Sequence, residues 1–307
     1  MADDSFLTLL LISAVALSAP LLFAALGELV SETAGVINIE LEGMMLAGAF
    51  CGVLGTYLSG SLAVGFLFSA AGGLLVGLLH GVACFVFRAN QVVSGIVLNI
   101  LALGLTAFFL SSYLGDRVTQ SIGGLEDVSI PLLSDLPVLG PALFDQDVMV
   151  YAAFALVAAC WWVLTRTKVG LALKAAGERP EAAESLGVDV GRVRWAVVCC
   201  CGVMAGVGGG QLALAGIGLF TPNMTAGRGF IALAAVITGG WRAVGVLAAV
   251  LLFATADAFQ VRADAIGIDI PYQFLAMLPY IATLLALAGF LSRRRAPAGL
   301  ATNYFRD

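Results

Sequence analysis

RTKVGLALKAAGERPEAAESLGVDVGRVR, residues 166–194, is the one long polar interval between two strongly apolar regions of this chain. Its centre is Glu181-Ala182-Ala183, followed after three residues by Gly187. Pro180 suits a first helical position, where its missing N–H would be unpaired in any case. Glu181 and Glu184 fall in the first turns, where carboxylates favour the positive end of a helix. Gly187 can adopt the left-handed conformation that ends one. The interval therefore predicts a short helix outside the bilayer, with Ala182 and Ala183 forming a smooth face for close packing. The competing reading is a polar loop with one helical turn.

Working outward, the 307 residues are 61% hydrophobic and 11% charged, with a mean hydropathy of +1.02. A soluble domain carries about 25% charge. Long uncharged apolar runs recur from end to end, which predicts an all-α polytopic membrane protein. No polar interval is long enough to fold by itself. A net charge of −5 without a basic patch argues against a nucleic-acid partner. Asp3 and Asp4 precede the first apolar run, where a cleavable signal would carry basic residues, so Phe6–Leu26 is expected to be a first span. The cysteines (Cys51, Cys84, Cys160, Cys199, Cys200, Cys201) lie inside apolar runs without a Cys-x-x-Cys pair, which predicts neither a zinc site nor a disulfide framework. The single histidine, His80, reads as a packed or interfacial residue, because a metal site needs several ligands.

Candidate spans are 6–26, 43–59, 62–87, 92–115, 148–165, 195–217, 229–240, 243–261 and 272–291, about nine helices within a range of 8–10. The run 229–240 is short and bracketed by glycines, so a broken or tilted helix is expected there. Basic residues set the orientation. Arg88, the interval 166–194, Arg242 and Arg293–Arg295 fall on one side, which is read as cytoplasmic together with the C-terminus. The other side holds Arg117 and Arg262 among many acids, including Asp116, Glu126, Asp127, Asp135, Asp145, Asp147, Asp264 and Asp269. The N-terminus and the loop 116–147 are placed outside. That loop is either a docking surface or a solvated connector.

Thr33-Ala34-Gly35 followed by Ile39 recurs as Thr225-Ala226-Gly227 followed by Ile231. Each follows a long span, and by the charge-based topology those two spans run in opposite directions. The chain is therefore divided into a first repeat, 1–165, with the external loop 116–147; a cytoplasmic loop, 166–194; and a second, inverted repeat, 195–295. In such repeats, discontinuous helices build the substrate path near mid-membrane. Around the first break, SETAGVINIELEGMM brings Glu32, Asn38, Glu40 and Glu42 to an apolar run, and around the second stand Asn223, Thr225 and Arg228. A carboxylate at the bilayer centre costs about 2.5–3.5 kcal/mol, so it needs water or a partner. Glu40 and Glu42 are two residues apart and point to different helix faces. The amides Asn90, Gln91, Asn99, Gln260 and Gln273 either bond neighbouring helices or line a path. Asn38, Asn99 and Asn223 are the candidates for the substrate path, and Glu42 and Arg228 for gating or structural charges. The chain has no phosphate-binding loop, no His-Glu-x-x-His motif and no aspartate-rich magnesium motif, so an energy source must come from a partner or an ion gradient.

The segment Glu181-Ala182-Ala183-x-x-x-Gly187 resembles the cytoplasmic coupling motif of ABC importer permeases. GVINIELEGMMLAGAF (35–50), RANQVVSGIVLNILALGLT (88–106), IPLLSDLPVLGP (130–141) and NMTAGRGFIALAAVI (223–237) resemble the nucleoside and simple-sugar importer permeases, a group that includes the ribose and branched-chain amino-acid permeases. The resemblance covers nearly the whole chain. It implies a non-catalytic transport subunit of a bacterial cell membrane that binds no cofactor or metal of its own. It also implies ATP and Mg on a partner ATPase, a second homologous permease subunit, and an extracytoplasmic substrate-binding protein or lipoprotein, all in membrane lipid. Contact with the ATPase carries over to Glu181, Ala182, Ala183 and Gly187. The Ile-x-Leu-Pro that closes the motif in many importers is absent near Val197–Cys200, as expected of this branch, and Glu40 stands where relatives are expected to carry a small residue. Nucleosides are the expected cargo, with simple sugars the alternative. A rival is an ion-coupled secondary transporter using Glu40, Glu42 or Asp257, which would not need the Glu-Ala-Ala…Gly loop. A membrane-embedded enzyme lacks its catalytic constellation.

Overall fold

The computed structural model describes residues 6–114, 124–131, 133–134, 136–262, 274–275, 277–290, 296–302 and 304. Each of the nine apolar runs produces a helix. In chain order the helices are α1 (Phe6–Thr33), α2 (Leu41–Ser59), α3 (Leu62–Gly81) and α4 (Gln91–Phe109). They continue with α5 (Leu139–Phe144), α6 (Val148–Arg166), α7 (Lys168–Glu178), α8 (Pro180–Ser185), α9 (Val190–Gln211), α10 (Arg228–Thr238), α11 (Ala243–Arg262) and α12 (Leu278–Phe290). π-Helical turns extend α3, α4 and α9 over Val82–Val86, Leu110–Leu114 and Leu212–Ile217. Among the described residues, 7 helices are long and apolar enough to cross a membrane, and α10 is apolar but short. The expected polytopic all-α class is what the chain forms.

Three boundaries differ from the sequence reading. α1 continues about two turns beyond Leu26 and so carries Glu28 and Glu32 inside a helix. α9 begins at Val190, before the apolar run proper, because Asp189 caps it by accepting from Arg192 N at 2.9 Å. The polar interval 166–194 holds two helices where one was expected. α7 precedes α8 and buries Leu173 and Ala176, so the interval is a folded unit. Arg117 and Arg293–Arg295, part of the charge-based orientation, lie outside the described residues, as do Asp116, Asp135, Asp264, Asp269 and Gln273.

Burial separates centre from periphery. α1, α2 and α9 are 67–72% buried along their most apolar windows, whereas α3, α4, α6 and α11 are 28–33% buried, which puts the first group in the middle. α1 and α9 run antiparallel: Gly27 lies against Cys201 and Met204, and Pro20 and Phe23 lie against Gly208. Glycines make this core possible. A Cβ on Gly209 would stand 1.8 Å from the carbonyl oxygen of Met45, so the α2 and α9 backbones touch there. In lipid, where burial of apolar surface drives little association, such close backbone approach supplies the packing energy.

The two ends of the bundle differ. One carries a two-stranded antiparallel ribbon, β1 (Asp127–Ser129) with β2 (Asp145–Asp147), in the register Asp127↔Asp147. Asp147 caps α6 by accepting from Met149 N and Val150 N, and it also accepts from Gln211 Nε2 at 2.9 Å. Burial raises the Asp127 carboxyl above its usual range, with the charges of Asp145 and Asp147 adding to the effect. The ribbon is therefore favoured below the ordinary carboxylate pKa and loses that contribution as pH rises through the raised value. The opposite end carries α7 and α8, and the segment 296–302 folds against it. There Gly299 N donates to Gly177 O, Ala301 N to Gly35 O, and Arg194 Nη1 to Thr302 O.

Candidate functional site

The two Thr-Ala-Gly repeats lie at helix ends, the first closing α1 and the second opening α10, and share one backbone turn. Gly35 has φ +87° and Gly227 has φ +85°, a left-handed turn that glycine adopts without the Cβ penalty. After the first break the chain climbs back along α1 and starts α2. After the second it starts α10 at once. Each break leaves a helix N-terminus whose first N–H groups have no partner within their own helix. Neither N-cap residue, Glu40 or Gly227, caps its own helix with a side chain.

The donors are satisfied from neighbouring helices. Asn99 on α4 accepts from Gly43 N at 2.7 Å and donates to Ile39 O at 2.9 Å, bracketing the start of α2. Glu42, on the first turn of α2, reaches across to α10. Its Oε1 accepts from Thr225 Oγ1 at 2.6 Å and Gly227 N at 2.8 Å, and its Oε2 accepts from Gly229 N at 2.7 Å. A carboxylate at a helix N-terminus also gains from the helix dipole. The starts of α2 and α10 are thus joined through one side chain.

The surroundings of the two breaks differ sharply. The first is sealed. Asn38 is fully buried, its Nδ2 donating to Glu28 Oε2 at 2.7 Å and to Ser31 Oγ at 2.8 Å, while its own N–H donates to Glu28 Oε1 at 2.9 Å. Gln91 accepts from Ile37 N at 3.0 Å. Glu40 and His80 are both fully buried, with Oε2 3.0 Å from Nδ1, and Ser94 Oγ lies 3.2 Å from the same nitrogen. Glu32 accepts from the indole N–H of Trp241, tying α1 to the α10–α11 turn.

The second break is open on one side. Asn223 is exposed with φ +57°, and Tyr280 of α12, 46% exposed, donates to Ala226 O at 2.7 Å. Arg228 is half-buried and pairs with Asp257 of α11, Nη2 to Oδ2 at 2.9 Å. Polar groups that can meet a solute therefore concentrate at the second break, while those of the first hold the fold.

The structure separates the three predicted path amides. Asn38 points into the sealed region, Asn99 is half-exposed beside the start of α2, and Asn223 is exposed on the open side. Glu42 and Arg228 are brought together at the start of α10. Glu40 and Glu42 take different partners, as their spacing requires. Glu181, Ala182, Ala183 and Gly187 stand together at the far end of the bundle. Glu181 and Ala182 are exposed, Ala183 is buried against Ala176 and Val190, and Gly187 has φ +90°. Glu28, Trp241 and Tyr280 escaped the sequence reading. Glu28 alone had a legible signal, as an acid one helical turn before Glu32.

Asn99 provides a measurable check on this geometry. Asn99→Leu strips both bracketing bonds and leaves Gly43 N and Ile39 O unpartnered, at an expected cost of about 1–3 kcal/mol. The expected result is a lowered thermal midpoint for the purified protein, with Asn99→Asp retaining the acceptor and falling between. An unchanged midpoint would remove Asn99 from the support of α2.

The buried starts of α2 and of the short helix α10, meeting nose to nose inside a bundle of long apolar helices, are the kind of helix ends that build the core of a membrane transporter. The chain belongs to the family of branched-chain amino acid transport system permease components, whose family model matches residues 10–289. It is similar to the guanosine ABC transporter permease protein NupQ of Bacillus subtilis, 38% identical with 94% of each chain covered. It is also 38% identical to the nucleoside ABC transporter permease protein NupC of Lactococcus lactis, again over 94% of each chain. The putative glucose ABC transporter permease protein TsgC13 of Haloferax volcanii is 34% identical over 99% of each. The chain is a transmembrane ABC transporter permease.

Proposed function

We propose that this permease imports nucleosides, energised by a separate ATPase. The similarity to NupQ and NupC over nearly full length carries this reading. The open second break fits it chemically. A neutral, hydroxyl-rich solute with a planar base needs amide and hydroxyl partners and an aromatic surface, and Asn223 and Tyr280, which both bond to Ala226, offer these, with half-exposed Asn99 at the start of α2. Arg228 is neutralised by Asp257, so no strong fixed charge faces the route. The two inverted halves, 1–165 and 195–295, would rock about the Glu42 junction, since cargo moves uphill only if the two states bind it differently. The chain itself would carry no catalytic step. ATP and Mg would sit on the partner ATPase docked at Glu181, Ala182, Ala183 and Gly187. A second permease subunit and an extracytoplasmic substrate-binding protein or lipoprotein would complete the transporter. Uptake by the reconstituted complex tests the cargo: labelled guanosine, adenosine and uridine should compete with one another and not with glucose. Uptake of glucose alone would favour the sugar reading that the TsgC13 similarity supports.

The same reading places the N-terminus and the ribbon outside and the α7–α8 end and C-terminus in the cytoplasm, following the basic residues. In a background lacking native cysteines, Ser185→Cys and Ser121→Cys should react with impermeant reagent from opposite sides. Labelling from the same side would overturn the orientation.

A further inference from the structure

At the α7–α8 end of the bundle, a cleft of about 880 Å³ opens between α6 and α11, roofed by the α10–α11 turn. Its mouth is polar and basic, with Lys174, Arg242 and Thr165, and its wall is apolar, with Trp161, Ala248 and Leu252. Lys174 Nζ donates to Leu164 O at 2.7 Å, which fixes the amine at the rim and leaves it two further N–H donors. Arg242 is exposed and among the described residues makes no ion pair. From Ala243 to Leu252, which is 49% exposed, the wall descends nine residues, about 14 Å along the apolar helix α11. Trp161, 43% exposed, lies one turn before the basic end of α6 at Arg166, and indoles near the ends of spanning helices favour the membrane boundary.

A basic rim over an apolar trough matches an amphiphile with an anionic head and a hydrocarbon tail. A solute such as a nucleoside has no use for the trough, and free phosphate has none for its length. We propose that this cleft binds one anionic phospholipid, its phosphate held by Lys174 and Arg242 and an acyl chain lying along Ala248 and Leu252 beside Trp161. Basic pockets between spanning helices are a recurrent headgroup site. Because the cleft is built from α6, α10 and α11 together, the lipid would brace the turn that carries Trp241, whose indole bonds Glu32 of the first half.

The full chain with Trp162→Phe and Trp195→Phe, reconstituted in phosphatidylcholine vesicles, reports on the cleft through Trp161 and Trp241. Dibrominated phosphatidylglycerol should half-quench this fluorescence at a mole fraction roughly thirtyfold below that needed for dibrominated phosphatidylcholine, as two basic side chains at a membrane surface predict. Lys174→Gln with Arg242→Gln should bring the two lipids to equality. Ala248→Phe, which fills the trough and leaves the charges in place, should weaken quenching by both lipids. Equal quenching in the parent protein, or a preference that survives the double substitution and Ala248→Phe alike, overturns the site. Loss of the preference on adding soluble glycerol phosphate would make it a phosphate site. Its loss in the assembled transporter would show that another subunit covers the cleft. Either outcome overturns the lipid assignment. None of these readouts depends on transport, so a change in the assigned cargo leaves them untouched.

Discussion

Glu42→Ala is expected to lower the stability of the folded protein by about 3–5 kcal/mol, among the largest effects of any single side-chain truncation here. The carboxylate accepts three hydrogen bonds, from Thr225 Oγ1, Gly227 N and Gly229 N, and all three donors lie inside the bundle. Removing the acceptor leaves the buried N–H of Gly229 without a partner and the part-buried N–H of Gly227 dependent on water from the open side. The hydroxyl of Thr225 can rotate to another acceptor, so Thr225→Val should cost only about 1 kcal/mol. Glu42→Gln keeps one acceptor oxygen and turns an NH₂ toward an N–H, which places it between wild type and alanine. The contact is also sterically closed. A Cβ on Gly229 would stand 2.4 Å from Glu42 N and 2.5 Å from its Cα, so Gly229→Ala pushes the start of α10 off the carboxylate and should mimic much of the Glu42→Ala loss. Fluorescence-detected thermal unfolding of purified variants orders them directly. The order wild type, Thr225→Val, Glu42→Gln, Glu42→Ala is expected, and a Glu42→Ala midpoint equal to wild type would mean that the junction does not hold the halves together.

The second large effect concerns transport with the fold intact. Ala182→Asp is expected to abolish uptake while the protein inserts and assembles normally. Ala182 is exposed on α8, beside Leu186, which is 86% exposed, so this apolar surface buries nothing within the chain and, on the proposed reading, is where the ATPase would dock. A charge brought into a close helix–protein contact without a counter-charge is strongly unfavourable. Ala183→Asp is the informative contrast. Ala183 is 2% exposed against Ala176 and Val190, so a charge there should damage the fold of the chain itself. Gly187→Val acts by a third route. At φ +90° a β-branched residue is strained, and with nothing near its Cβ the whole effect comes from the backbone, re-aiming the end of α8. ATP-dependent uptake and ATPase stimulation by substrate should both be lost in Ala182→Asp and Gly187→Val, with the amount of membrane-inserted protein unchanged. Uptake at the wild-type rate in Ala182→Asp would sink the docking assignment.

Much of this was legible in the residues because the bilayer imposes simple constraints. A run of apolar residues without water must be helical, so each of the nine apolar runs produced a helix. Pro180 and Gly187 mark α8 by their own backbone restrictions, which act locally. The paired Thr-Ala-Gly breaks were visible for the same reason, since a left-handed turn calls for glycine whatever surrounds it.

Partnership was not legible, because a side chain's direction depends on elements far away in sequence. Asn38 and Asn223 looked alike as amides beside a break, yet Asn38 is sealed by Glu28 four positions before Glu32, and Asn223 is exposed. His80 reads as an isolated residue until the climb of residues 36–40 along α1 brings Glu40 to within 3.0 Å of it. Glu42 and the start of α10 lie more than 180 residues apart, and no local pattern says that one caps the other. The sequence by itself determined the apolar helices, the Thr-Ala-Gly turns and the family, because these follow from hydropathy, backbone restriction and motif; α7, a polar-interval helix, showed only in the structure. Only the tertiary structure decided which polar groups lock the two halves and which face an opening, because in a dry interior each unpaired donor is satisfied by whichever helix the packing brings alongside.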